Sequence, residues 1–178
     1  YGVIAITPAE PLIDRLGDVS EPAGLRAAYQ LAAHGAAAVP ALIAAMQGND
    51  GESVDDARVF IDEGQHSEVE MVARNAAHAL VATGEAAVPA LVDCLKSAGP
   101  RVRKYCVFAL GEIAGDDPAA SAALVQGCGD ADVYVRINAV EALGLKQATP
   151  EGVAALVKAL SDSDDEVRFN AALALARV

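Results

Sequence analysis

Three arginines stand at one recurring position, Arg103, Arg136 and Arg168, spaced 33 and 32 residues apart. Guanidinium groups at a fixed repeat are chemistry for binding anions. Asp130, Asp132, Asp162 and Asp164 recur in the turns just ahead of Arg136 and Arg168, which offers the same arginines a second use. They can bridge each turn to its neighbour, while the aspartates cap the helices that follow and complement their positive ends. Because the spacing follows a repeat, the bridge is the expected arrangement. Asn75, Asn138 and Asn170 recur in the same way, with Tyr105 taking that place once, and a backbone hydrogen bond between neighbouring segments is their expected task.

Other reactive groups are sparse. The histidines are His34, His66 and His78, and no pair has a His-x-x-x-His or Glu-x-x-His spacing, so no metal site and no cofactor are expected. Cys94, Cys106 and Cys128 form no CxxC and sit among small or apolar residues, which reads as three buried hydrophobes in no dictated redox compartment. Between Gly48 and Glu70 eight acidic residues face Arg58 alone. Asp50, Glu52, Asp55, Asp56, Asp62 and Glu63 are the heart of this run. Its order does not match the EF-hand ligand pattern. A solvated loop is the first reading, since closure entropy rises slowly with length, and a docking element for a basic partner is the second.

Such groups need a scaffold, and the composition describes one. The chain has 178 residues, one domain's worth, of which 53% are hydrophobic and 40 are alanine, so closely packed helices are expected. Thirteen Lys and Arg against 25 Asp and Glu give a net charge of −12, the wrong sign for neutralising phosphates, and nucleic acid is not an expected partner. Trp is absent, and no unbroken run of about 18 apolar residues suggests membrane insertion. The opening YGVIAITPAE has no initiator Met and no basic leader, so a processed chain or a fragment is expected; the sequence names no compartment, with the cytoplasm slightly favoured.

Two motifs alternate along the chain. VARNAAHALVAT (72–83), VRKYCVFALGEI (102–113), VRINAVEALGLK (135–146) and VRFNAALALARV (167–178) align without gaps, with AGLRAAYQLAAH (23–34) a weaker copy. Ahead of four of them lie AVPALIAAM (38–46), AVPALVDCL (87–95), ASAALVQGC (120–128) and GVAALVKAL (152–160). Both motifs place apolar residues at helical spacing, and the eight prolines fall at or near predicted helix starts, where a missing N–H costs nothing. Thr149-Pro150 and Asp117-Pro118 read as cap and first-turn pairs, and Thr7 with Glu10 as a capping box. Pairing the motifs predicts one all-α domain of five hairpins, at 8–34, 36–82, 85–114, 117–146 and 150–178, with an acidic insertion at 48–68 whose stretch 54–61 has apolar residues for one or two helical turns but too short a period to decide them.

The pairing of (A/G)VPALVxxL with VRxNAAxALGxI at this period resembles the HEAT-repeat superfamily, particularly the short HEAT-like repeats named after phycobilisome lyases. The resemblance implies a right-handed α-solenoid whose second helices line a concave face. On that face the alignment sets Tyr29, Arg74, His78, Lys104, Phe108, Ile137, Glu141 and Phe169 pointing outward, with Arg74 and Lys104 a small basic island. A deoxyhypusine hydroxylase of similar architecture would need His-Glu dyads where this chain has Arg74-Asn75, Lys104-Tyr105, Ile137-Asn138 and Phe169-Asn170. A HEAT-like DNA glycosylase would need Trp and basic residues. A non-enzymatic scaffold binding a protein partner on the concave face is therefore the expected function. A bilin lyase-like chromophore-binding protein and a structural spacer are the alternatives. The final helix carries no polar cap, so the expectation is either that more chain follows in the parent protein or that this end packs against a copy of itself or a partner.

Overall fold

Proline and small polar residues set where the helices begin. The computed structural model describes residues 9–18, 21–48, 68–97, 99–113, 117–146 and 148–178, and every regular element among them is helical. The chain is all-α and built of stacked helical hairpins. It divides into two compact units, Tyr1–Ala87 and Val88–Val178. The Thr7–Glu10 capping box, the stretch 54–61 and the acidic cluster of Asp50, Glu52, Asp55, Asp56, Asp62 and Glu63 lie outside the described residues.

In the first unit α1 (Ala9–Ile13) runs into a 3-10 turn at Asp14–Gly17, and α2 (Glu21–Ala32) follows. A second 3-10 turn, Gly35–Ala38, leads to α3 (Val39–Gln47), and α4 (Glu68–Thr83) ends in a third, Gly84–Ala87. Gly35 at φ 59° and Gly84 at φ 74° occupy the left-handed region that ends a helix and that side chains resist. Both α2 and α3 pack on α4, burying Leu31, Leu42, Met46 and Leu80. By length and composition Glu70–Lys96 is apolar enough to cross a membrane. Gly84 interrupts it, and Ala73, Ala76, Ala77 and Leu80 are buried in the fold. Asn75, also buried on α4, donates its amide N–H to the Leu16 carbonyl at 2.8 Å, tying the first hairpin to the second.

The second unit holds α5 (Val88–Ser97), α6 (Pro100–Glu112), α7 (Pro118–Gly127), α8 (Val133–Leu145), α9 (Pro150–Ala159) and α10 (Asp165–Leu175). Pro100, Pro118 and Pro150 are the first residues of their helices. Asp117 accepts the N–H groups of Ala119 and Ala120 at 2.8 and 2.9 Å, and Thr149 accepts that of Gly152 at 3.0 Å, as the cap signatures require. Leu91, Leu124 and Leu156, one from each first helix, and Val102, Val135 and Val167, one from each second helix, are buried in register.

The second helices approach unusually closely. A Cβ at Gly111 would lie 2.6 Å from Ala142 Cβ, and one at Gly144 would lie 2.6 Å from Ala174 Cβ and 2.8 Å from its Cα. Glycine is needed at these places for want of room. α8 therefore lies flush between α6 and α10.

Candidate functional site

The recurring polar residues form a clasp between hairpins. Asp132 caps α8 by accepting the N–H groups of Tyr134 and Val135 at 2.9 and 3.1 Å. Asp130, two residues earlier, accepts the Asp132 N–H at 2.8 Å and a bidentate fork from Arg103 of α6, at 2.8 and 2.7 Å. One repeat on, Asp164 caps α10 and Asp162 takes the fork of Arg136 at 2.9 and 3.0 Å. Arg136 also donates its remaining nitrogen to the carbonyls of Asp130 and Ala131 in its own turn. In each Asp-x-Asp turn the first aspartate thus receives the preceding hairpin and the second starts its own helix. Arg103 and Arg136 are engaged with protein groups, as the bridging reading requires. Asn138 likewise donates to the Lys104 carbonyl at 3.2 Å across α6 and α8, whereas Asn170 turns to Glu166 of its own helix at 3.0 Å and makes no bridge.

Charge follows this geometry. Burial works to raise the Asp130 pKa, but hydrogen bonds from Arg103 and the Asp132 N–H, with the fields of Arg103 and Arg136, hold it below the ordinary carboxylate range. The Arg136 fork does the same for Asp162, against a smaller burial effect. Since folding lowers both values, the unfolded chain takes up these protons first as the pH falls. The stabilisation is complete above the ordinary aspartate value of about 3.9 and drains away as the pH drops below it toward the folded values. Urea midpoints between pH 7 and pH 3 are expected to fall steeply in the parent. In Asp130→Asn/Asp162→Asn they should start lower and change less.

The thiolate is disfavoured at Cys106 and at Cys128, which is half-buried where full burial was expected. Cys94 and Cys106 are buried free thiols, and a hydrogen bond with Cys94, reinforced by burial, pushes the Cys106 thiol far up. Burial pushes Cys128 up to about 12. Among the described residues no group of three or more His, Cys, Asp or Glu is placed to hold a metal.

The outward row is distributed over both units. Tyr29 on α2 is exposed, with Arg74 and His78 half-buried on α4, all in the first unit. Lys104, Phe108, Ile137, Glu141 and Phe169 belong to the second, so Arg74 and Lys104, the expected basic island, fall in different units. Lys104 Nζ stands 4.6 Å from the centre of the Tyr105 ring. Ile137 corrects the expectation, since it is only 8% exposed. It lies on α8, which is packed by both α6 and α10, whereas Phe169 holds the same repeat position on α10 and is 63% exposed.

Two residues of the row do meet. Phe108 of α6 and Glu141 of α8 line a shallow groove of about 80 Å³ with Glu112, Asn138 and Leu145, floored by Gly111 and Ala142. Glu112 and Leu145 were not foreseen as lining residues, though each lies one helical turn beyond a residue that was, at the i+4 spacing that shares a face. The groove is apolar at Phe108 and Leu145, and its charged lining groups are both carboxylates.

The family described as HEAT repeats matches residues 57–133 and 121–178. No curated protein sequence matches significantly. Among solved structures, the complex of CpcE and CpcF of phycocyanin lyase from Nostoc sp. PCC7120 superposes with a TM-score of 0.62 at 21% identity, covering 93% of this chain and 96% of that one. A designed armadillo-repeat protein in complex with the peptide (KR)4 gives 0.53 at 22%, covering 95% and 81%. Human deoxyhypusine hydroxylase gives 0.52 at 21%, covering 95% and 73%.

Proposed function

On the premise that the chain belongs to the HEAT-repeat family, we propose that it is a non-enzymatic scaffold that binds a protein partner through the faces of its second helices. The groove between α6 and α8 carries this reading. It joins an exposed carboxylate, Glu141, to apolar surface at Phe108 and Leu145, in a volume suited to one side chain of a docking segment. The clasp residues support it from the other direction, because Arg103, Arg136, Asp130 and Asp162 hold hairpins together and are not spare groups for chemistry. The designed neighbour in complex with (KR)4 lends a precedent for a repeat protein that binds a basic peptide, and a net charge of −12 favours such a partner here.

Selection from a random peptide display library on the whole chain tests this. Peptides with an apolar residue beside Lys or Arg are expected, bound about tenfold more weakly by Phe108→Ala or Glu141→Lys, which corresponds to about 1.4 kcal/mol. An empty selection, or peptides that bind both variants like the parent, would sink the proposal.

The likeness to the phycocyanin lyase subunits over almost the whole chain favours a second reading, in which a bilin is the ligand. Against it stands the groove's size, about 80 Å³, where sites for such ligands run to roughly 300–1,000 Å³. A titration with phycocyanobilin separates the two: a shifted absorption band would turn the argument toward the pigment.

A further inference from the structure

The two carboxylates of the α6–α8 groove lack a counter-charge. Among the described residues no cationic side chain pairs with Glu112 or Glu141, though both line the same shallow groove. Asn138, the third polar group of the lining, holds its amide nitrogen on the Lys104 carbonyl at 3.2 Å and has its carbonyl oxygen left to offer. The polar lining is thus rich in acceptors, and its two like charges repel one another until a cation enters.

The walls narrow the kind of cation. Phe108 of α6 and Leu145 of α8, the latter 57% exposed, present apolar surface, and the floor of Gly111 and Ala142 carries nothing longer than a methyl group. That floor is fixed. A Cβ at Gly111 would stand 2.6 Å from Ala142 Cβ, so the two helices can come no closer, and the Arg103–Asp130 fork and the Asn138–Lys104 bond keep them from parting. A groove held in shape beforehand costs its ligand little ordering.

We infer that this groove is an arginine subsite. The side chain of an arginine in the partner segment lays its methylene stem along Phe108 and Leu145 and brings its guanidinium to Glu112 and Glu141, with the Asn138 carbonyl accepting a further N–H. The inference rests on the reading of the chain as a scaffold for a protein partner and names the residue that partner must present. Arginine is preferred to lysine because the groove is shallow. An ammonium there stays hydrated and gains little, whereas a guanidinium is weakly hydrated, carries five donors in one plane and stacks on an aromatic face. A carboxylate or phosphate is repelled by both glutamates. Calcium asks for about six to eight oxygen ligands, more than these three side chains supply.

Three small probes test this on the whole chain: N-acetylarginine methylamide, its lysine counterpart, and its citrulline counterpart, which matches arginine in shape but carries no charge. Each is titrated at physiological salt into isotope-labelled protein while the backbone amide signals are followed. Saturable shifts are expected around Glu112, Asn138 and Glu141, with arginine bound about tenfold more tightly than lysine and citrulline giving no saturable shift. Glu112→Gln/Glu141→Gln, two changes at exposed positions, should weaken arginine binding about tenfold and leave the thermal midpoint in place. Equal binding of arginine and lysine, citrulline bound like arginine, shifts centred elsewhere, or no saturable shift with any probe overturns the inference. The partner reading fails by a different result, an empty peptide selection. Selected peptides that depend on Phe108 yet carry no arginine would keep that reading and overturn this one.

Discussion

Replacing Gly144 by valine is expected to destabilise the second unit by about 2–3 kcal/mol, toward the upper end of what overpacking a filled interior costs. An added Cβ would meet Ala174 at both Cβ and Cα, and a backbone atom 2.8 Å away cannot rotate aside. At about 2–4 °C per kcal/mol for a chain of this length, the thermal midpoint should drop by about 5–10 °C. Glycine-to-alanine changes in a helix interior normally gain about 1 kcal/mol of propensity. Gly144→Ala is nevertheless expected to lose stability, and Gly111→Ala to lose less, because the nearest backbone atom there is 3.4 Å away. Adding Ala174→Gly should recover part of the Gly144→Ala loss, and a double-mutant cycle by urea denaturation measures the coupling. Simple additivity would show that the contact does not set the spacing of α8 and α10.

Arg136→Ala is the second large effect, at about 3 kcal/mol, near the range found when one member of a buried ion pair is removed. The Arg136 and Asp162 side chains are only 13% and 14% exposed, so truncation leaves a carboxylate poorly solvated and strips the Asp130 and Ala131 carbonyls of their donor. Burying an apolar pair in place of the ions often recovers such losses. Arg136→Met/Asp162→Leu should therefore lie between the parent and Arg136→Ala, held below the parent by the two carbonyls and by the Asp164 N–H, which loses its acceptor in Asp162. Denaturation at pH 7 reads both. A double variant no better than the single one would show that these backbone hydrogen bonds, and not the ion pair, carry the energy.

Much of this was legible before any coordinates. Helical spacing, proline at helix starts and the Asp117 and Thr149 caps are local effects, and local rules predict them well. The arginine–aspartate clasp was legible because its two halves recur at one period, which exposes a contact between distant residues as a pattern along the chain. The outward row was less so. Ile137 and Phe169 share a repeat position, yet one is covered and the other open, since exposure depends on what packs over a helix. Asn170 misled for a related reason: its repeat position matches that of Asn138, but its amide finds an acceptor one turn back on its own helix. The lining of the α6–α8 groove by Glu112 and Leu145 needed a second turn of each helix to be read along with the first.

The clasp also bears on how a gene for such a chain can change. The hairpin of α7 and α8 holds in its own turn the acceptor for the hairpin before it and on its second helix the donor for the hairpin after it. Unequal crossing-over that deletes or duplicates this one period hands Arg103 or its copy an acceptor of the same kind, and the reading frame of contacts survives. A break elsewhere in the period leaves an arginine and an aspartate stranded at the junction. Arrays that differ by this whole period therefore keep the clasp without a new interface having to form.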